Sequence, residues 1–176
     1  MKKNIFYLSI LLFFAFIFTI FYIGLDKSNF YKPKEVKNKS LEEFTSTELF
    51  SNKQFNSKDI IEKNNFTLIN IWSSWCVPCR EEHEELMILK EKKLNILGLN
   101  YKDKKKNAIN FLNELGSPFS KIFNDKDGII SISLGAYGVP ESFLLNNEFK
   151  LLKKFIGPLT EENIIEIVKI INNENN

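Results

Sequence analysis

Cys76 and Cys79 are the only cysteines in the 176 residues, and they stand in the segment Trp75-Cys76-Val77-Pro78-Cys79. A bridge across so short a loop removes little entropy from the unfolded chain. The spacing therefore argues for thiol exchange rather than a structural staple. If the segment opens a helix, residues three apart share a face and the two sulfurs are within reach of each other. The unpaired amides of a helix's first turn stabilise a thiolate there and draw its pKa toward neutrality. Cys76 is then the expected nucleophile, exposed enough to attack. Cys79 is the more covered thiol that resolves a mixed disulfide. Pro78 is tolerated because no helical hydrogen bond is lost in the first turn. The same residues leave a second chemistry open. Two thiolates with the lone histidine, His83, form a conceivable copper set, whereas a structural zinc site needs about four ligands. His83 is otherwise expected on a helix surface.

A strand must deliver these cysteines and a helix must follow them. Phe66 to Trp72 is a dense apolar run of strand length, fitting a buried central strand. Val77 to Lys92 has helix-forming composition with its Glu residues early, where the helix dipole favours them. Leu94 to Tyr101 predicts a second strand, and Lys105 to Leu115 an amphipathic helix stopped by Gly116. Phe119 to Phe123 predicts a short strand, Asp125 to Gly128 a turn and Ile129 to Leu134 a short helix. Ser142 to Leu145 and Phe149 to Ile156 predict a hairpin about Asn146-Asn147. Thr160 is placed to cap a last helix with Glu161 and Glu162 in its first turn. Before all of these, Phe44 to Phe55 fits a hairpin and Asp59 to Lys63 a short helix. The order predicts an α/β domain with a mixed central sheet flanked by helices.

Ile5 to Leu25 carries no charge and lies between Lys2-Lys3 and Asp26-Lys27. Such a run is long enough to span a bilayer. No Ala-x-Ala cleavage pattern follows it, which favours a retained anchor over a cleaved signal. The expected organisation is an N-terminal membrane anchor over 1–27, a linker over 28–40 and a folded domain over 41–172. With Lys2 and Lys3 held in the cytoplasm, the domain is exported. Setting those two lysines aside, 22 of the 24 basic residues face 22 acidic ones. A balanced domain has no general electrostatic pull toward nucleic acid.

Ile71 to Arg80 resembles the active-site segment of the thioredoxin superfamily. Gly98-Leu99-Asn100-Tyr101-Lys102-Asp103, Phe111 to Gly116, and Leu134-Gly135-Ala136-Tyr137-Gly138-Val139-Pro140-Glu141-Ser142-Phe143 narrow the resemblance to the CcmG/DsbE family. These are membrane-tethered, thioredoxin-like proteins of cytochrome c maturation. The resemblance implies a thioredoxin-like fold and a cis peptide bond before Pro140. It also places Val139 beside Cys76, where its backbone can pair with a substrate strand. Trp75, next to Cys76, is expected to be exposed and to contact a partner, and Tyr101 and Asp103, where the second strand ends, are expected at the groove. General thioredoxins carry a buried Asp six residues before the first cysteine; this chain has Asn70 there. Glu82 and Glu141 are therefore expected to move the proton. By resemblance the partners are an apocytochrome c or haem-ligation protein and a membrane thiol–disulfide electron donor. The location is the inner membrane, single-pass, with the catalytic domain in the periplasm. No cofactor beyond the redox-active disulfide, no metal and a monomer are expected. Rival readings are a general exported thiol reductase, a copper metallochaperone using Cys76, Cys79 and His83, and a docking protein without catalysis.

Overall fold

The computed structural model describes residues 2–26, 40–51, 53–61, 63 and 65–174. The expected linker lies outside them apart from Ser40. The chain separates into two units, Met1–Lys34 and Glu35–Asn176. The first contains helix α1 (Lys2–Asp26), of which Asn4–Gly24 is apolar enough to cross a membrane, with a mean hydropathy of 2.4. Its apolar side chains, Phe6, Phe13, Phe16 and Phe21 among them, are exposed around the helix.

The second unit contains β1 (Thr45–Thr47), β2 (Gln54–Asn56), α2 (Lys58–Ile61), β3 (Phe66–Trp72), α3 (Val77–Glu81), α4 (His83–Glu91), β4 (Asn95–Tyr101), α5 (Lys105–Leu115), β5 (Lys121–Asp125), α6 (Ile129–Ser133), β6 (Glu141–Asn146), β7 (Leu151–Ile156) and α7 (Glu161–Glu174). β1 and β2 form an antiparallel hairpin; the other strands form one sheet in the order β5-β4-β3-β6-β7. β3, β4 and β5 run parallel, and β6 and β7 are antiparallel to their neighbours.

β3 occupies the centre because it is apolar on both faces. From Thr67 to Trp72 it is buried throughout. Alternation sends Ile69 and Ile71 to one side, where they pack with Phe44, Ile61, Phe123 and Leu134 beneath α2 and α6. Leu68 packs on the other side with Leu86, Leu89, Ile164 and Ile167 of α4 and α7. Trp72, on that same side, meets Ala108, Phe111 and Leu112 of α5. Helices thus cover both faces, as a parallel sheet requires. Pairing Trp72 with Asn100 and Ile71 with Glu141 brings three segments to one edge: the exit of β3, the exit of β4 and the entry of β6.

Two elements near the cysteines and Trp72 differ from expectation. The helix after Cys76 is broken at Glu82, whose ψ of −1° displaces the chain from helical geometry. The carboxylate at that break turns inward and bonds across the fold, an attraction that periodicity does not reveal. The strand expected at Phe119 to Phe123 instead begins at Lys121, because Phe119 leaves the sheet to stack on Trp72, with ring centroids 5.4 Å apart.

Gly98 makes that stack possible. A Cβ built there would lie 2.9 Å from both the Phe119 ring and Trp72 Nε1. Gly98→Ala is expected to destabilise the full-length protein by about 1–3 kcal/mol, as overpacking does. Denaturant unfolding in detergent, followed by tryptophan fluorescence, measures the change; an unchanged midpoint would contradict it.

Candidate active site

Cys76 leaves β3 in extended conformation and caps α3, its Sγ accepting the Cys79 N–H at 3.1 Å. The two cysteines form a disulfide with an S–S distance of 2.08 Å and Cα atoms 5.3 Å apart. The expected exposure of Cys76 is not met in this oxidised state. Cys76 is 5% exposed and Cys79 2%, and both pack in the cluster of Trp72, Phe111 and Leu112. Trp75 instead stands 56% exposed beside Cys76.

The three residues before Cys76 are each tied to the end of β4. Ser73 Oγ donates to the Tyr101 carbonyl at 2.8 Å, and Trp75 Nε1 to the Lys102 carbonyl at 3.1 Å. Ser74 donates to Asp103 twice, from its backbone N–H at 2.7 Å and its hydroxyl at 2.9 Å. Tyr101 itself is half-buried and packs against the α6 side of the core.

Across the site, the Val139–Pro140 peptide is cis. Val139 is half-buried against the cluster that holds both cysteines. Glu141 follows, 2% exposed. Its Oε1 accepts the N–H groups of Tyr137 at 2.8 Å and Gly138 at 3.1 Å. Its Oε2 lies 2.8 Å from Lys154 Nζ. Lys154 also donates to the Gly135 carbonyl at 2.8 Å and sits 4.1 Å from the centre of the Tyr137 ring. One ion pair reaching in from β6 and β7 therefore fastens the whole loop ahead of Pro140.

Glu82 is the other interior acid. Its Oε1 accepts Asn70 Nδ2 at 2.8 Å and its Oε2 accepts the Leu159 N–H at 2.8 Å. Asn70 Nδ2 also reaches Ser142 Oγ at 3.0 Å, so the amide links β3, β6 and the break between α3 and α4. Burial pushes the Glu82 carboxyl up to about 7 against the pull of those two hydrogen bonds, with the Glu85 charge adding to the rise.

A buried cysteine pair at a strand-to-helix junction opposite a cis-proline loop fits a known family, whose profile matches most of the chain. The redoxin family profile covers residues 36–169. The chain belongs to the redoxin family. Within it the chain is a CcmG/DsbE protein. It is 44% identical over 109 residues to the thiol:disulfide interchange protein CycY of Rhizobium leguminosarum bv. viciae, covering 61% of this chain and 59% of CycY. It is 32% identical over 161 residues to the "Probable thiol:disulfide interchange protein DsbE-2" of Pasteurella multocida, covering 92% of this chain and 85% of that protein. The match thus spans less than two thirds of CycY but most of DsbE-2. A secreted thiol-disulfide isomerase from Corynebacterium glutamicum superposes with a TM-score of 0.68 at 20% identity, over 82% of this chain and 95% of that one, and shows the shared fold.

The CcmG/DsbE segments that carried the resemblance lie where the site is built: the end of β4, the end of α5, and the loop from Leu134 into β6. His83 is not on the surface. It is 6% exposed, its Nε2 lies 3.2 Å from the Gly116 carbonyl, and its ring meets Phe111 edge-on. Among the described residues no group of three or more His, Cys, Asp and Glu could hold a metal ion. Sequence reading passed over Lys154, and it placed Asp103 beside Tyr101 at the groove without naming its partners. Their partners lie far away in sequence, and no local spacing marks them.

Glu82 gives a pH signature. A carboxyl raised by burial favours the folded state while protonated. Its contribution is complete below the ordinary carboxyl range and is lost as pH rises through about 7. His83, whose pKa burial lowers, has the opposite slope. The difference between wild type and Glu82→Gln isolates the acid. From pH 5 to 8 the wild type is expected to lose stability relative to the variant, by about 3 kcal/mol at most. Parallel pH profiles from thermal unfolding of the oxidised proteins would contradict this.

Proposed function

We propose that this chain is a thiol–disulfide oxidoreductase working as a dithiol reductant on apocytochrome c or a haem-ligation component during c-type cytochrome biogenesis. The observation that carries the reading is the Cys76–Cys79 disulfide at the start of α3, facing the cis Val139–Pro140 loop. The names of the relatives support the same chemistry.

In the reduced enzyme the Cys76 thiolate attacks one sulfur of a target disulfide and expels the other as a thiolate. The Cys79 thiolate then attacks Cys76 Sγ, closing the intramolecular bond and releasing the second target thiol. Two electrons pass to the target, and the chain is left in the oxidised form described above. The Cys79 N–H bonded to Cys76 Sγ favours the thiolate state of Cys76. The Val139 backbone presents a pairing edge to the extended target. Trp75, exposed beside Cys76, supplies apolar contact area. Tyr101 supports the groove from below. Glu82, with a carboxyl near 7, takes up and returns a proton as Cys79 ionises. Glu141 acts with it through the loop that ends in Pro140. The pair needs no further cofactor and no metal.

Residues 1–27 serve as the anchor in the cytoplasmic membrane, 28–40 as a linker, and 41–172 as a monomeric thioredoxin-like domain in the periplasm. Lys2 and Lys3 at the head of α1 support that orientation. A membrane thiol–disulfide carrier returns the two electrons.

Without Cys79 the mixed disulfide has no resolving thiol. Cys79→Ala in intact membranes is expected to accumulate higher-mass adducts that reducing agent releases, and mass spectrometry identifies the trapped partner. Cys76→Ser is expected to abolish them. Adducts that persist in the double variant, or none in Cys79→Ala, would overturn the reading.

A further inference from the structure

The geometry points to Asp103 as a positioning residue that holds Cys76 for attack; this rests on the exchange chemistry proposed above. Its carboxylate accepts four hydrogen bonds. Oδ1 takes the Ser74 hydroxyl at 2.9 Å and the Lys104 N–H at 2.7 Å. Oδ2 takes the Ser74 N–H at 2.7 Å and Asn100 Nδ2 at 3.1 Å. Both oxygens thus clasp Ser74, two residues ahead of Cys76, while Asn100 and Lys104 hold the carboxylate from its own side.

The clasp completes a splint. Ser73, Ser74 and Trp75 are bound in turn to Tyr101, Asp103 and Lys102. Lys102 takes a φ of 44°, an uncommon conformation for a residue with a side chain, and its N–H is anchored on the Asp125 carbonyl at 2.9 Å. In that conformation its own carbonyl accepts the Trp75 indole.

The splint matters because the segment from Ser73 to Cys76 lies outside the sheet. β3 ends at Trp72 and α3 begins at Val77. The attacking sulfur would otherwise hang from four residues without ladder support. Attack on a disulfide requires alignment of three sulfurs, and small misplacements of reacting atoms cost large factors in rate. Asp103 touches neither cysteine, so it acts through the backbone that carries Cys76.

The experiment compares full-length wild type with Asp103→Ala and Asp103→Asn in detergent. Reduced proteins are assayed for exchange with a disulfide-bonded peptide and for alkylation of Cys76 by iodoacetamide across pH. Alkylation makes no alignment demand, so its limiting rate at high pH is expected to stay at the wild-type value. The kcat of exchange is expected to fall about tenfold in Asp103→Ala and less in Asp103→Asn, which keeps one acceptor for Ser74. Ser74→Ala removes a single bond of the clasp and keeps the test usable if Asp103→Ala does not fold; a drop of about threefold is expected. A folded Asp103→Ala with wild-type kcat, or a Ser74→Ala with no loss where Asp103→Ala cannot be purified, overturns the assignment. So does a loss of exchange matched by an equal loss in the limiting alkylation rate. Inactivity of the wild type itself would instead remove the exchange reading, and the positioning role with it.

Discussion

The central strand fixes where the chemistry can occur. β3 is held by β4 on one side and β6 on the other, with apolar side chains buried on both faces. A one-residue slip would exchange its two faces and expose half of its apolar set. Register along β3 is therefore strongly specified, and with it the point at which Cys76 leaves the sheet. The exits of the parallel strands and the entry of antiparallel β6 then meet at the same edge without further instruction from the chain. Loops assembled there inherit the rigidity of the sheet, which is why short side-chain contacts suffice to orient them.

Polar side chains inside the domain do the remaining alignment. Asn70, Glu82, Glu141 and Ser142 are all 2% exposed or less, and each reaches across strands or helices to another element. Buried polar groups cost free energy when unpaired and confer specificity when paired. The Glu82 pairing is incomplete as a counterweight, because among the described residues two hydrogen bonds from neutral donors offset its burial and no cation pairs with it. Glu141 lies beside the Lys154 ammonium instead. The two interior carboxylates thus occupy different electrostatic settings, one held by neutral donors and the other beside an ammonium.

The elements were legible because apolar runs and stop signals lie close together in sequence. β3 and α5 have the bounds that periodicity predicted, and Gly116 ends α5 with a φ of 84°. The cysteine pair was legible for the same reason. What sequence could not distinguish was which of several similar residues turns inward. Glu81, Glu82, Glu84 and Glu85 are alike in composition, and family resemblance alone singled out Glu82, the one of the four that meets Asn70 and the Leu159 amide. His83 was expected on a helix surface, and it is covered instead by Phe111 and the segment at Gly116. The cis bond at Pro140 came from family resemblance and not from the residues themselves. Asp103 and Lys154 contact partners supplied by other strands and loops, so their roles emerge only once the sheet is assembled.

The N-terminal hairpin has a further effect at the margin of the sheet. β5 is an outer strand, and its free side is taken up by a bridge between Glu48 and Phe123 and by the Leu49 N–H on the Ile122 carbonyl. Unsatisfied backbone along an outer strand is a template for pairing with another chain. Capping it with a piece of the same polypeptide removes that template. Copies crowded onto one surface then meet a β5 whose middle is already engaged by its own chain.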